Sequence, residues 1–163
     1  MLKIWKYQIS LFGILLAAVC LEATIIPSVW SPLRVDFFIG MIIGQIIFIP
    51  FSHGLVFVIV GSLVLQAFSG ARPGFIPLVY IVAYLAVDVL RNLIYLENAF
   101  TQALLGILFY CLILAATIVL TEVSSLEELA LPLAAGALLT GAVTPAMVWV
   151  VGRLQRAYEL EYE

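Results

Sequence analysis

Charge is scarce along this chain, and the stretches between charges are long and apolar. That scarcity constrains the fold more than any single motif. Asp, Glu, Lys and Arg make up 10 % of the 163 residues, against about 25 % in a soluble globular domain. The mean hydropathy is +1.22. A chain of this kind belongs in lipid, where unpaired backbone polar groups are so costly that only helices or closed barrels cross. The apolar stretches run continuously, without the alternation of barrel strands, so they read as helices. The expected fold is an all-α integral membrane protein of one domain, with about six transmembrane helices. The spans fall at about residues 9–28, 37–50, 54–68, 75–93, 100–121 and 129–152. The net charge of −3 and the absence of any Lys/Arg run give no sign of nucleic-acid binding.

The second and third stretches are short, and Pro50-Phe51-Ser52-His53-Gly54 separates them. They form either a tight hairpin of two short helices or a single broken, re-entrant element. The first stretch follows Lys3 and Lys6 but is long for a signal peptide and lacks a clear cleavage site, so it reads as an uncleaved span. With six spans, Lys3, Lys6, Arg91, Arg153 and Arg156 share one side, and Arg34 and Arg72 the other. The excess of Lys and Arg marks the first side as cytoplasmic, with both termini on it.

Polar residues inside the spans are the candidates for function. The fourth span holds the strongest set. Tyr80, Tyr84 and Asp88 stand at successive i, i+4 spacings, Arg91 and Asn92 follow Asp88 at i+3 and i+4, and Tyr95 extends the line. All fall on one helical stripe. They form either a polar seam that meets other helices, a partner or a small ligand, or a belt in which the Asp88–Arg91 pair marks the cytoplasmic interface. Glu22 either faces a polar interior or reaches the outer headgroups through helix tilt. Arg34 and Asp36 read as an interfacial pair at the start of the second span. Gln45 and Gln66 lie deep and are expected to form hydrogen bonds between helices.

His53, the only histidine, reads as a loop residue. No second histidine, cysteine pair or carboxylate cluster offers a metal site. Cys20 and Cys111 read as small buried hydrophobes. Gly40 and Gly44 form Gly-x-x-x-Gly, and Gly136, Gly141 and Pro145 suggest close packing and a kink in the last span. No serine has a general base at an informative spacing, and no phosphate-cradling loop is present, so neither an enzyme nor a cofactor is expected.

The segment Gly61-Ser62-Leu63-Val64-Leu65-Gln66-Ala67-Phe68-Ser69-Gly70-Ala71-Arg72-Pro73-Gly74 resembles a signature of the bacterial rod shape-determining protein family MreD. In that family a glycine-bearing span leads to an acidic residue, then Ser-Gly, then a glycine four residues later. Ser69, Gly70 and Gly74 fit, and Gln66 stands where the family has the acid. Leu21-Glu22-Ala23-Thr24-Ile25-Ile26-Pro27 looks like the end of the family's first span. Arg34-Val35-Asp36 looks like the start of its second, with Val35 in place of proline. Residues 136–145 look like its last span, followed by the basic Arg153 and Arg156.

The resemblance implies a non-enzymatic component of the cell-elongation machinery in the bacterial inner membrane. Its implied partner is MreC, a single-span protein with a periplasmic domain. Through MreC it would connect to the transpeptidase and glycosyltransferase of peptidoglycan synthesis and to MreB filaments. The family's fold is similar to that of the substrate-binding subunits of energy-coupling-factor vitamin transporters, which supplies an alternative function. That alternative calls for a pocket near the outer loops, where Trp30, Arg34, Asp36 and Arg72 are the scattered candidates.

Overall fold

A computed structural model describes residues 2–29, 35–69, 73–91, 95–121 and 126–158. Among these residues the chain is all-helical: α1 (Leu2–Val29), α2 (Phe37–Phe48), α3 (Phe51–Ser69), α4 (Phe75–Leu90), α5 (Ala99–Thr121) and α6 (Leu126–Ala157). Four of them (α1, α3, α5 and α6) contain segments long and apolar enough to cross a membrane. By helical rise α2 extends about 18 Å and α4 about 24 Å, short of a hydrocarbon core of about 30 Å.

The arrangement is a ring around a central helix. Among the described residues α1 packs on α3, α3 on α4, α4 on α5, α5 on α6, and α6 back on α1. Helix α2 touches all five. Nine of its twelve residues are buried, an unbroken run from Phe38 to Ile46. An all-round apolar helix suits an interior position.

The most extensive packing of α2 is on α6, and it depends on the Gly-x-x-x-Gly face. A Cβ at Gly40 would stand 2.7 Å from Met147 Cβ, and one at Gly44 would stand 2.8 Å from Val151 Cβ. On its other side α6 approaches α5 closely, and a Cβ at Gly141 would stand 2.9 Å from the Ala103 carbonyl oxygen. Lipid tails are as apolar as leucine, so such van der Waals contact is what holds helices together in a bilayer. Helix α6 continues through both Pro132 and Pro145.

The break between α2 and α3 is tighter than the sequence suggests. Ile49 is extended (φ −125°, ψ 145°) and α3 already begins at Phe51. Ser52, His53 and Gly54 therefore form a first helical turn rather than a loop, with the His53 and Gly54 N–H groups donating to the Pro50 carbonyl at 3.0 and 3.1 Å. Proline is tolerated at a helix start, where its missing donor costs nothing. Gly54 is needed for space, because a Cβ there would stand 2.5 Å from the Tyr84 hydroxyl. The two elements are separate helices, and α2 lies mainly against α6 rather than pairing with α3.

Hydrogen bonds define the two ends of the ring. At one end Gln8 Nε2 donates to the His53 carbonyl at 3.4 Å, Ser10 Oγ and the Tyr158 hydroxyl are 2.7 Å apart, and the Tyr84 hydroxyl donates to the Phe51 carbonyl at 2.9 Å. The first turns of α1, the α2–α3 break and the end of α6 thus lie together. Cys20 and Cys111 are exposed on the outside of the bundle, not buried. A small, weakly polar side chain is tolerated against lipid as well as in a core.

Candidate functional site

The other end of α2 gathers polar groups from four helices. Asp36 is the N-cap of α2, and its Oδ1 accepts from the Ile39 N–H at 3.2 Å. Its Oδ2 accepts a hydrogen bond from the Tyr80 hydroxyl of α4. Its own N–H donates to Thr140 Oγ1 of α6 at 3.0 Å. Glu22 of α1 accepts from the Phe37 N–H at 3.1 Å. Thr144, one turn beyond Thr140, returns its hydroxyl to the Thr140 carbonyl at 2.7 Å. Helix N-termini leave N–H groups without internal partners and carry a partial positive charge, so two carboxylates within one turn of α2 suit the local field.

The depth of this cluster follows from the helices that hold it. Thr140 lies about 21 Å along α6 from Leu126 and about 26 Å from Ala157, near the middle of that helix. Tyr80 lies about 8 Å inside the start of α4. Asp36 and Glu22 bond to neighbouring helices rather than to each other. They are held among helices, where a carboxylate needs a partner. Asp36 thus bonds to α4 and α6, and Arg34, its expected partner, lies outside the described residues. Glu22 bonds to the first turn of α2.

The stripe on α4 divides. Tyr80 and Tyr84 are buried and bond to Asp36 and to the Phe51 carbonyl. Phe38 and Phe51 pack on their rings, at centroid distances of 5.0 and 5.5 Å. Asp88 and Arg91 pair with each other at 3.2 Å, the arginine side chain 40 % exposed and the aspartate half-buried. Tyr95 is exposed and donates to Glu97 at 2.8 Å, a bond to a carboxylate that holds the phenol above its usual range. Asn92 lies outside the described residues. The stripe is therefore two sites rather than one seam.

The segment around Gln66 has a structural role. Gln66 Oε1 accepts from the Ile76 N–H at 3.2 Å, in the first turn of α4. Ser69 Oγ donates to the Gln66 carbonyl at 3.2 Å. Gly74, with φ at +84°, is the N-cap of α4, a left-handed conformation that suits glycine. Gly70 and Arg72 lie outside the described residues, as does Trp30. Gln45 also meets its expectation, since its Nε2 donates to the Tyr7 hydroxyl across the α1–α2 interface at 2.8 Å.

Among the described residues no group of three His, Cys, Asp or Glu could hold a metal ion. The Asp36 cluster is built from residues far apart in sequence, and what could have flagged it is the placement of two acids beside deep apolar spans. Comparison of the chain with known proteins finds no matching family model, no matching curated protein and no matching solved structure.

Proposed function

We propose that this chain is a non-enzymatic membrane scaffold of the MreD type, which binds a single-span partner of the MreC kind and links it to the machinery of cell elongation. With this goes a six-span topology in the bacterial inner membrane, with α2 and α4 as short spans and both termini cytoplasmic. The observation that carries the reading is the two-faced character of α4. Its inner face holds Tyr80 and Tyr84 on internal partners. Its outer face presents the exposed stripe Leu78, Val82, Leu85 and Val89, bordered by the Asp88–Arg91 pair. Spacings of four, three and four residues suit a left-handed helix crossing. Hydrophobicity alone gives helices in lipid no choice of partner, so a surface charge pair beside such a stripe is a natural recognition element.

The test is copurification of the MreC-type partner in mild detergent with Asp88→Lys and Arg91→Glu. Each reversal should reduce recovered partner by at least about fivefold, the scale of about 1 kcal/mol for an interhelical polar contact in lipid. Unchanged recovery with both variants would overturn the assignment and leave the pair as an interfacial belt.

The Glu22–Asp36–Tyr80–Thr140 cluster supports a second reading, the substrate-binding subunit of a small-molecule transporter. Acids held among membrane helices often mark a substrate or ion path. A small molecule that copurifies together with ATPase and coupling subunits would favour it over the scaffold.

A further inference from the structure

One face of α6 changes character along its length. Leu138 and Ala142 are exposed and apolar, and Trp149, Arg153 and Arg156 continue the same face toward the helix end, all exposed. The opposite face of those last turns packs inward: Val151 is buried, and Tyr158 lies against Tyr7 with ring centroids 6.3 Å apart. The arginines are held in place. The Arg153 guanidinium stands 4.9 Å over the Trp149 ring, and Arg156 Nε donates to the Gly152 carbonyl at 3.3 Å. Neither contact uses the terminal Nη donors. Two exposed guanidiniums one turn apart, with terminal donors that neither contact uses, suit the oxygens of one phosphodiester.

We propose that the Trp149–Arg153–Arg156 face is a binding site for the headgroup phosphate of an anionic phospholipid. The occupant is a lipid rather than a soluble anion because the donors stand beside an exposed indole, at the end of an apolar path along Leu138 and Ala142 that an acyl chain can follow. Tryptophan favours the boundary between hydrocarbon and headgroups, and arginine reaches from there to the headgroups. Lys6 and Trp5, also exposed, add charge and an indole at the same end of the bundle. Glu159, Glu161 and Glu163 follow in sequence, and carboxylates compete with a phosphate for arginine donors. The site does not depend on the scaffold reading.

The experiment uses the full chain with Trp5→Phe and Trp30→Phe, leaving Trp149 as the single tryptophan, excited selectively over tyrosine, in phosphatidylcholine vesicles. Bromine on an acyl chain quenches an indole only on contact, so quenching by brominated phosphatidylglycerol is compared with that by brominated phosphatidylcholine at equal mole fraction. The anionic lipid should bind on the order of tenfold more strongly at low salt, since each cation at such a surface contributes about fivefold. The preference should fall as salt is added. With Arg153→Gln and Arg156→Gln together it should approach one, while quenching by brominated phosphatidylcholine stays as before and reports an intact bundle. Equal quenching by the two lipids in the chain with both arginines present, as coverage by the acidic tail would produce, overturns the proposal. A preference undiminished in the double variant also overturns it.

Discussion

Gln66 stands where the resembled family has an acid, and its amide oxygen caps α4 through the Ile76 N–H. An acceptor is what that backbone group requires, and an amide supplies one as a carboxylate does, without a charge to desolvate. Tyr80 presents the converse case. Its hydroxyl is one of the donors that make a carboxylate tolerable at Asp36. Tyr80→Phe should lower stability in detergent by about 1–3 kcal/mol, the cost of leaving a buried acceptor short of a partner. Tyr95→Phe removes a bond on the exposed surface and should change stability by less than about 0.5 kcal/mol. Thermal unfolding of the two variants side by side checks the contrast. The interhelical roles of Gln45 and Gln66 were legible in the sequence, because a deep amide in lipid has few alternatives. The cluster around Asp36 was not. Its donors and acceptors lie 15, 44 and 104 residues away. Glu22 and Tyr80 lie near span ends in sequence, and distance along a chain does not report how far a neighbouring helix continues beyond it.

Helices themselves are readable from continuous apolar runs, and the six observed elements lie close to the expected stretches. How they face one another is harder to read. In water an apolar stripe points to the core. In lipid, tails and core are equally apolar, so α2, buried on all sides, and α5, with lipid-facing residues such as Leu104 and Leu108, look alike by hydropathy. Small residues carry the information instead, and Gly40 and Gly44 identify the face that meets α6. Gly44→Val should therefore destabilise the bundle by at least about 2 kcal/mol through overpacking against Val151. Gly13→Ala, which would meet nothing within 4 Å, should be neutral or stabilising by up to about 1 kcal/mol. Chemical denaturation of both variants in detergent measures the difference, and equal effects would mean that the α2–α6 approach is looser than described.

At the level of the whole molecule, the first turns of α1 and the last turn of α6 share one end of the ring. Any even number of spans requires this. Thiol-accessibility labelling of cysteines placed at residues 3 and 157, in sealed vesicles lacking the native Cys20 and Cys111, should find both sites on the same face of the membrane. Labelling from opposite faces would exclude the six-span topology. The circular order of the helices was beyond sequence reasoning, because ring neighbours such as α1 and α6 are separated by almost the entire chain.

That order bears on how the protein is made. Helix α2 leaves the ribosome well before α6, yet its largest interface is with α6. Until then Gly40 and Gly44 have no helix to close against, and the Asp36 N–H lacks its threonine acceptor. The nascent chain must shelter a short, polar-capped helix while four longer neighbours are made, and the native centre of the molecule can be completed only once α6 has emerged.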